Sequence, residues 1–460
     1  MTRRLAMALG TVLCALPALP APGAQAVLLP DVQRSRLRNG MPVALMAYQR
    51  APVFALEVVF RGGAAIDPEG KAGVASLTAE VLGRGTAKRS AAEFAQEVDF
   101  LGATIDASAG ADGLTVRASG LSRHFAAVLD LVAEMLREPA FDAREVERAR
   151  ELRLSGLRAM REDPGAVASR VAQEIALAGH PYGALETESS VARITRDDLV
   201  AFWRGTLAPP NARLVMVGDL PPADALRALD QRLGDWPATA VEPPAPPRLA
   251  ARPRSVALVD KPDAVQSNVV LIGKGAAASD PDRVAVEVAT TILGSGFASR
   301  LTEEVRVNRS LTYWIGCAMR YRRAGGSFVI GSFTRAENTN ALIDAVIDVV
   351  RGAATRGFTD AELRRGVGFL AGQFAIEVQT PGALAGRLAE MELHGLPADH
   401  LTGYLARLRS VRLAQVNAAA RRWFGPDALS IAVTGRAGTI RQQIERYGDV
   451  QDRDLEGVGR

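Results

Sequence analysis

Histidine and cysteine are scarce in this chain, with four and two among 460 residues. His124, His180, His394 and His400 are scattered, and none stands three or four residues from another histidine or cysteine, so no helix presents a ligand pair. They read as surface or satisfied side chains. Cys14 falls in an N-terminal segment with the marks of a removable signal, where Leu13 is a poor match to a lipoprotein site. Cys317 is then alone in the mature chain and an internal disulfide is excluded. Aromatic residues make up 5% and the formal net charge is only +4. With no basic stripe interleaved with aromatics, nucleic acid is excluded as a partner. There is no nucleophile elbow, phosphate loop or dinucleotide glycine pattern, and Gly294-Ser295-Gly296 is a bare helix-end turn.

Long apolar runs are also missing, apart from one near the start. Residues 5–21 are apolar behind Arg3 and Arg4, but Leu16-Pro17 and Leu19-Pro20 interrupt them, and Ala24-Gln25-Ala26 offers a cleavage site. The expectation is a signal peptide over residues 1–26 and a secreted mature chain beginning at Val27, periplasmic in a Gram-negative source, without membrane contact after cleavage.

What remains is ordinary globular composition, 48% apolar and 23% charged. Residues 236–254 hold six prolines in nineteen positions, which forbids a helix or a central strand and reads as an extended linker. It separates residues 27–235 from residues 255–460, and the two halves echo each other. In each, an alternating apolar strand (53–60 and 269–272) runs into a glycine turn and then a helix opened by Asp-Pro (70–82 and 283–293). In each, a hairpin follows: residues 104–109 with 114–119, and 311–320 with 327–334. Two helices come next, at 125–136 and 142–160 in the first half and at 340–354 and 359–377 in the second. The pattern predicts an α+β fold of two homologous sandwich-like domains from an internal duplication, each an antiparallel-rich sheet with helices on one face.

The first of these helices carries Gly73-Val74-Ala75-Ser76-Leu77-Thr78-Ala79-Glu80 and closes at Gly83-Arg84-Gly85-Thr86. The segment resembles the zinc helix of the pitrilysin/insulinase peptidases, G-x-x-H-F-L-E-H-x-x-F-x-G-T, in which two histidines hold the metal and the glutamate activates its water. Matched on Gly73 and Gly85-Thr86, Ser76 stands at the first histidine, Ala79 at the catalytic glutamate and Glu80 at the second histidine. The family's third ligand follows an E-R-x-R segment, here Glu147-Arg148-Ala149-Arg150, and Gly156 falls at its place. The resemblance therefore implies a degenerate site with no metal in this chain, Glu80 being a solvated or salt-bridged helix carboxylate.

The second half is different. Residues 299–313, Ser-Arg-Leu-Thr-Glu-Glu-Val-Arg-Val-Asn-Arg-Ser-Leu-Thr-Tyr, are similar to the family's S-R-L-x-x-x-[IV]-R-x-x-x-[GS]-L-x-Y. Arg306 and Tyr313 match the pair that grips substrate opposite the zinc. A guanidinium fork suits a carbonyl or carboxylate, and a phenol supplies a directional hydrogen bond. Taken singly, these two would read as a surface arginine and a strand-start aromatic. The resemblance implies the substrate-binding, zinc-less subunit of a two-chain zinc metallopeptidase. Its partner would be a zinc-bearing paralogue and its substrates unfolded peptides. The alternative is a non-enzymatic scaffold or peptide-binding protein of the same fold.

Overall fold

The computed structural model describes residues 29–238, 243–454 and 458; the expected signal, its cleavage site and residues 239–242 of the expected linker lie outside the described residues. Among the described residues, twelve strands form two six-stranded sheets. The first contains β1 (Val32–Arg36), β2 (Pro42–Ala47), β3 (Val53–Arg61), β4 (Thr104–Ala109), β5 (Gly113–Leu121) and β6 (Ala212–Gly218), in the order β1-β2-β6-β3-β5-β4. The second contains β7 (Val256–Asp260), β8 (Gln266–Gly275), β9 (Ile315–Arg320), β10 (Gly326–Arg335), β11 (Ser430–Gly435) and β12 (Val450–Arg453), in the order β12-β7-β11-β8-β10-β9. Five positions correspond pairwise, including the parallel pairings of β2 with β6 and of β7 with β11. The sixth breaks the symmetry. β1 joins the outer edge antiparallel from the N-terminal side, and β12 joins it parallel from the C-terminal side. The inner hairpin strands β4 and β9 are the opposite edges.

Side chains of a strand alternate between faces, and here both faces are apolar. In β3, Phe54, Leu56, Val58 and Phe60 enter the core under the first half's own helices, α1 (Val74–Leu82), α2 (Phe125–Arg137) and α3 (Ala143–Met160). In the second half the equivalent core lies under α5 (Arg283–Gly294) and α6 (Thr339–Arg356). The helix α1 starts later than the sequence pattern implies. Gly73 takes φ 113°, which suits glycine, and holds the chain out of the helix until Val74. The Asp67 carboxylate then accepts the Gly73 and Ala75 N–H groups at 2.7 and 2.8 Å, satisfying donors that the helix start leaves free.

The second face of each sheet is covered by a helix from the other half. From the first half, α4 (Pro164–Ala176) places Val167, Ala168, Val171, Ala172 and Ile175 on Ala257, Val259, Val270, Ile272 and Ala432 of the second sheet. From the second half, α8 (Pro381–His394), which follows α7 (Asp360–Glu377), places Leu384, Ala385, Leu388, Ala389 and Met391 on Ala44, Met46, Ala55, Val59, Val215 and Val217 of the first. The two helices are built alike. Paired alanines four residues apart let each lie close to its sheet, and each opens on a capping side chain followed by proline: Asp163-Pro164 and Thr380-Pro381.

The His180-Pro181-Tyr182-Gly183 loop fastens the halves further. The Tyr182 hydroxyl donates to Asp112, at the tip of the β4–β5 hairpin, and accepts from the Ala324 N–H at 3.1 Å. Asp112 also accepts the Arg323 N–H at 2.7 Å. Burial and the Asp112 carboxylate push the Tyr182 phenol above its ordinary range, so it remains a donor. His180 accepts the Tyr182 N–H through Nδ1, and its Nε2 lies 2.8 Å from the Pro247 carbonyl, a structural role of the kind expected for it. His394 differs from the expectation of a satisfied histidine: its buried Nδ1 has no hydrogen-bond partner among the described residues, and a carboxylate oxygen of Asp112 is 4.0 Å away.

Candidate functional site

Ser76 and Glu80 are four residues apart and therefore share one face of α1. That face, with Gly156 on α3, lines a cavity of about 630 Å³. Three of the four degenerate positions are thus brought together. Ala79 is not on the wall; it is 3% exposed and packs into the core. Gly156 leaves room for a longer residue, since a Cβ there would meet nothing within 4 Å. The place of a third ligand is therefore open space without a donor.

A salt-bridge network occupies the ligand face instead. Arg153 of α3 holds Glu186 in a fork, Nε and Nη2 at 2.6 and 2.7 Å from its two oxygens, and the Ser76 hydroxyl bonds to the same carboxylate. Burial alone would raise the Glu186 pKa, but the bonds from Arg153 and Ser76 and the charge of Arg170 outweigh it and hold the group below its ordinary range. Glu80 is bound by Arg84 at 3.0 Å, and Arg84 also reaches Glu145 at 3.4 Å. Arg153, Arg170 and Arg322 all stand on the wall. Guanidinium groups donate only, and the one carboxylate at a ligand position is already paired. Among the described residues there is no group of three or more His, Cys, Asp or Glu that could hold an ion. The residues present do not fit zinc.

The second constellation lies along β9. Here a cavity of about 570 Å³ is lined by Arg306, Phe297, Trp314 and residues of the edge strand, Cys317 among them. Arg306 sits in a π-helical turn over Thr302–Asn308, where the Arg309 N–H reaches five residues back to the Glu304 carbonyl at 3.0 Å. Such turns are rare and concentrate at functional sites. The Arg306 guanidinium lies 5.0 Å from the centre of the Phe297 ring. Tyr313 stands apart from the cavity wall, 82% exposed. The strand begins at Ile315 and not at Leu311, because the Thr312 hydroxyl accepts the Trp314 N–H and donates to the Trp314 carbonyl, closing a tight local turn. That turn directs Tyr313 into solvent. Ser310 before it takes φ 52°, a backbone better suited to the glycine that the motif also allows.

Sequence reasoning did not find Arg153, Arg170, Glu186 and Arg322, nor the aromatic pair Phe297 and Trp314. A cue existed for α4, since Asp163-Pro164 is a helix-opening signature. Nothing local in the sequence marks Arg153 as the partner of Glu186.

Two copies of one α+β unit face each other. One carries a helix stripped of metal ligands, and the other an arginine beside an open edge strand. This defines a two-lobed peptidase fold without its catalytic metal site. The family described as insulinase, peptidase family M16, matches residues 43–185, and the peptidase M16 inactive domain matches residues 193–368; together they span more than half of the chain. The crystal structure of a peptidase M16 inactive domain from Pseudomonas fluorescens is 28% identical and superposes with a TM-score of 0.83, covering 88% of this chain and 98% of that one. An uncharacterized zinc protease of Streptomyces coelicolor is 27% identical over 75% of this chain and 77% of its own. A non-peptidase homolog of Helicobacter pylori is 24% identical over 82% and 88%. The chain belongs to the M16 (pitrilysin/insulinase) family, and within it to the non-catalytic members.

Proposed function

We propose that the chain is the substrate-gripping subunit of a heterodimeric zinc metallopeptidase, secreted to the periplasm, whose partner carries the zinc and an intact H-x-x-E-H helix. The observation that carries this reading is the placing of Arg306 in a π-turn on a cavity whose lining includes the edge strand β9. An unpaired edge offers backbone N–H and C=O groups to an extended peptide irrespective of its sequence. Arg306 supplies the fixed charge that sets the peptide's register on a carbonyl or carboxylate. The exposed faces of Phe297 and Trp314 supply apolar contact. Tyr313 is well placed to meet substrate or the partner as the chamber closes, since it already stands in solvent. The partner's zinc supplies the hydrolytic chemistry, and this chain binds and orients the peptide. Substrates are limited by size more than by sequence.

The test is turnover of an unstructured peptide by the purified chain mixed with its zinc-bearing paralogue. The chain alone is expected to be inactive and the mixture active. Arg306→Ala should lower kcat/KM by about tenfold or more, the scale of one lost charge-assisted contact. Equal turnover with wild type and Arg306→Ala would overturn the grip. Inactivity of the mixture would favour the scaffold reading.

A further inference from the structure

The cavity at the degenerate metal site holds more cationic charge than its own carboxylates take up. Arg153 is bound by Glu186, and Glu80 is bound by Arg84 from outside the wall. Glu174, one turn beyond Arg170, lies 3.7 Å from Arg453. Asp112, whose charge acts on Arg322, is engaged by the Tyr182 hydroxyl and the Arg323 N–H. Arg170 and Arg322 are left over. Each has a buried guanidinium nitrogen without a hydrogen-bond partner among the described residues, Nη2 of Arg170 and Nη1 of Arg322. Burial works against the charge of both. Arginine does not escape by losing its proton, so an unmatched buried N–H of this kind is costly and calls for an acceptor.

The two arginines come from opposite halves. Arg170 projects from α4, and Arg322 follows β9 and rests on the Tyr182 ring, 4.8 Å from its centre. The ring fixes the plane of the Arg322 guanidinium beside the void. Ala109, the last residue of the edge strand β4, and Gly110 and Ala111 of its hairpin turn stand on the same wall. An extended peptide lying along that edge would run directly into the arginines.

We propose that this cavity is a carboxylate pocket, in which Arg170 and Arg322 receive the C-terminal carboxylate of a peptide where the catalytic relatives hold a metal cation. The site keeps a positive centre but exchanges a Lewis acid for hydrogen-bond donors, so it binds a chain end and does no chemistry on it. It would retain a peptide end in the lobe opposite the β9 cavity. The proposal does not depend on a partner chain or on Arg306.

The experiment is binding of a fluorescent unstructured peptide to the chain alone, in two forms that differ only in a free or an amidated C-terminus. The free acid is expected to bind at least tenfold more tightly. Arg170→Gln and Arg322→Gln should each reduce that ratio several-fold, whereas Arg322→Lys should preserve part of it. Because the ratio is first read on the wild-type protein, it does not depend on any variant folding. Equal affinity of acid and amide would overturn the proposal. So would an acid preference that persists unchanged in folded Arg170→Gln and Arg322→Gln, since the carboxylate would then be held elsewhere, at Arg306 for example. Binding of acetate or inorganic phosphate that the Gln variants abolish, with no acid preference among peptides, would show a small-anion site and would also overturn it.

Discussion

Produced separately, residues 27–238 and 243–460 are each expected to aggregate, whereas produced together they should assemble into a soluble one-to-one complex. The reason is the exchange of α4 and α8. Without the second half, Met46, Val59, Val215 and Val217 form a bare apolar face, and without the first half Val259, Val270 and Ile272 do the same. Burying side chains of this size contributes about 1.5–3 kcal/mol each, so each exchanged helix is worth on the order of 10 kcal/mol. Two such contacts exceed the roughly 4–15 kcal/mol that association of separate bodies costs. Size-exclusion chromatography of the single halves and of the co-produced pair decides the matter. A monomeric, cooperatively folding half would show that the exchanged helices are dispensable. By the same argument, a chain nicked between residues 238 and 243 should elute unchanged.

Glu186→Ala should destabilise the protein by about 2–3 kcal/mol, because it strips the forked carboxylate partner from Arg153. The lower end of the buried-pair range applies, since the Arg153 side chain is 39% exposed and partly screened by water. Arg153→Ala made on top of Glu186→Ala should cost much less than Arg153→Ala alone, the coupling expected of one network. The pH dependence has a definite sign. The Glu186 pKa lies lower in the folded chain than its ordinary value near 4.5. Its stabilisation is therefore complete above about pH 4.5 and is lost as pH falls through the folded value. Urea unfolding of wild type and Glu186→Ala should give midpoints well separated at pH 7 that converge at acid pH. A pH-independent gap would mean that Glu186 acts by packing and not by charge. The pair ties α3 to the loop after Tyr182.

Much of this architecture is written locally. The hairpin strand Thr104–Ala109 is marked by alternation ending at Gly110, and α7 by the helical pattern over 359–377; the structure places both there, with Thr359 as the cap of α7. The duplication is legible for the same reason, as each half repeats local signals. Missing from the sequence are choices that depend on distant partners. The helices α4 and α8 look like any amphipathic segment, and nothing in them says that they belong on the other half's sheet. Arg153 and Glu186 are 33 residues apart, and only the fold makes them partners. At the site, Ser76 and Glu80 are traceable because glycines frame their helix motif, and Gly156 because it follows Glu147-Arg148-Ala149-Arg150 at a set spacing, whereas the outward turn of Tyr313 depends on the hydroxyls of Thr312 and the distant Ser332.

The exchange of helices also sets an order in time. The first sheet has all its strands once Gly218 has been made, but the helix that covers its second face ends only at His394. Whether the chain emerges from the ribosome or from an export channel, N-terminal part first, that face is uncovered until residues 219–394 have all appeared. Its strands Pro42–Ala47, Val53–Arg61 and Ala212–Gly218 are apolar on both sides, the kind of surface that captures other nascent chains. A protein of this design folds as a whole after its chain is nearly finished, and until then it depends on something else to keep the first half apart from its neighbours.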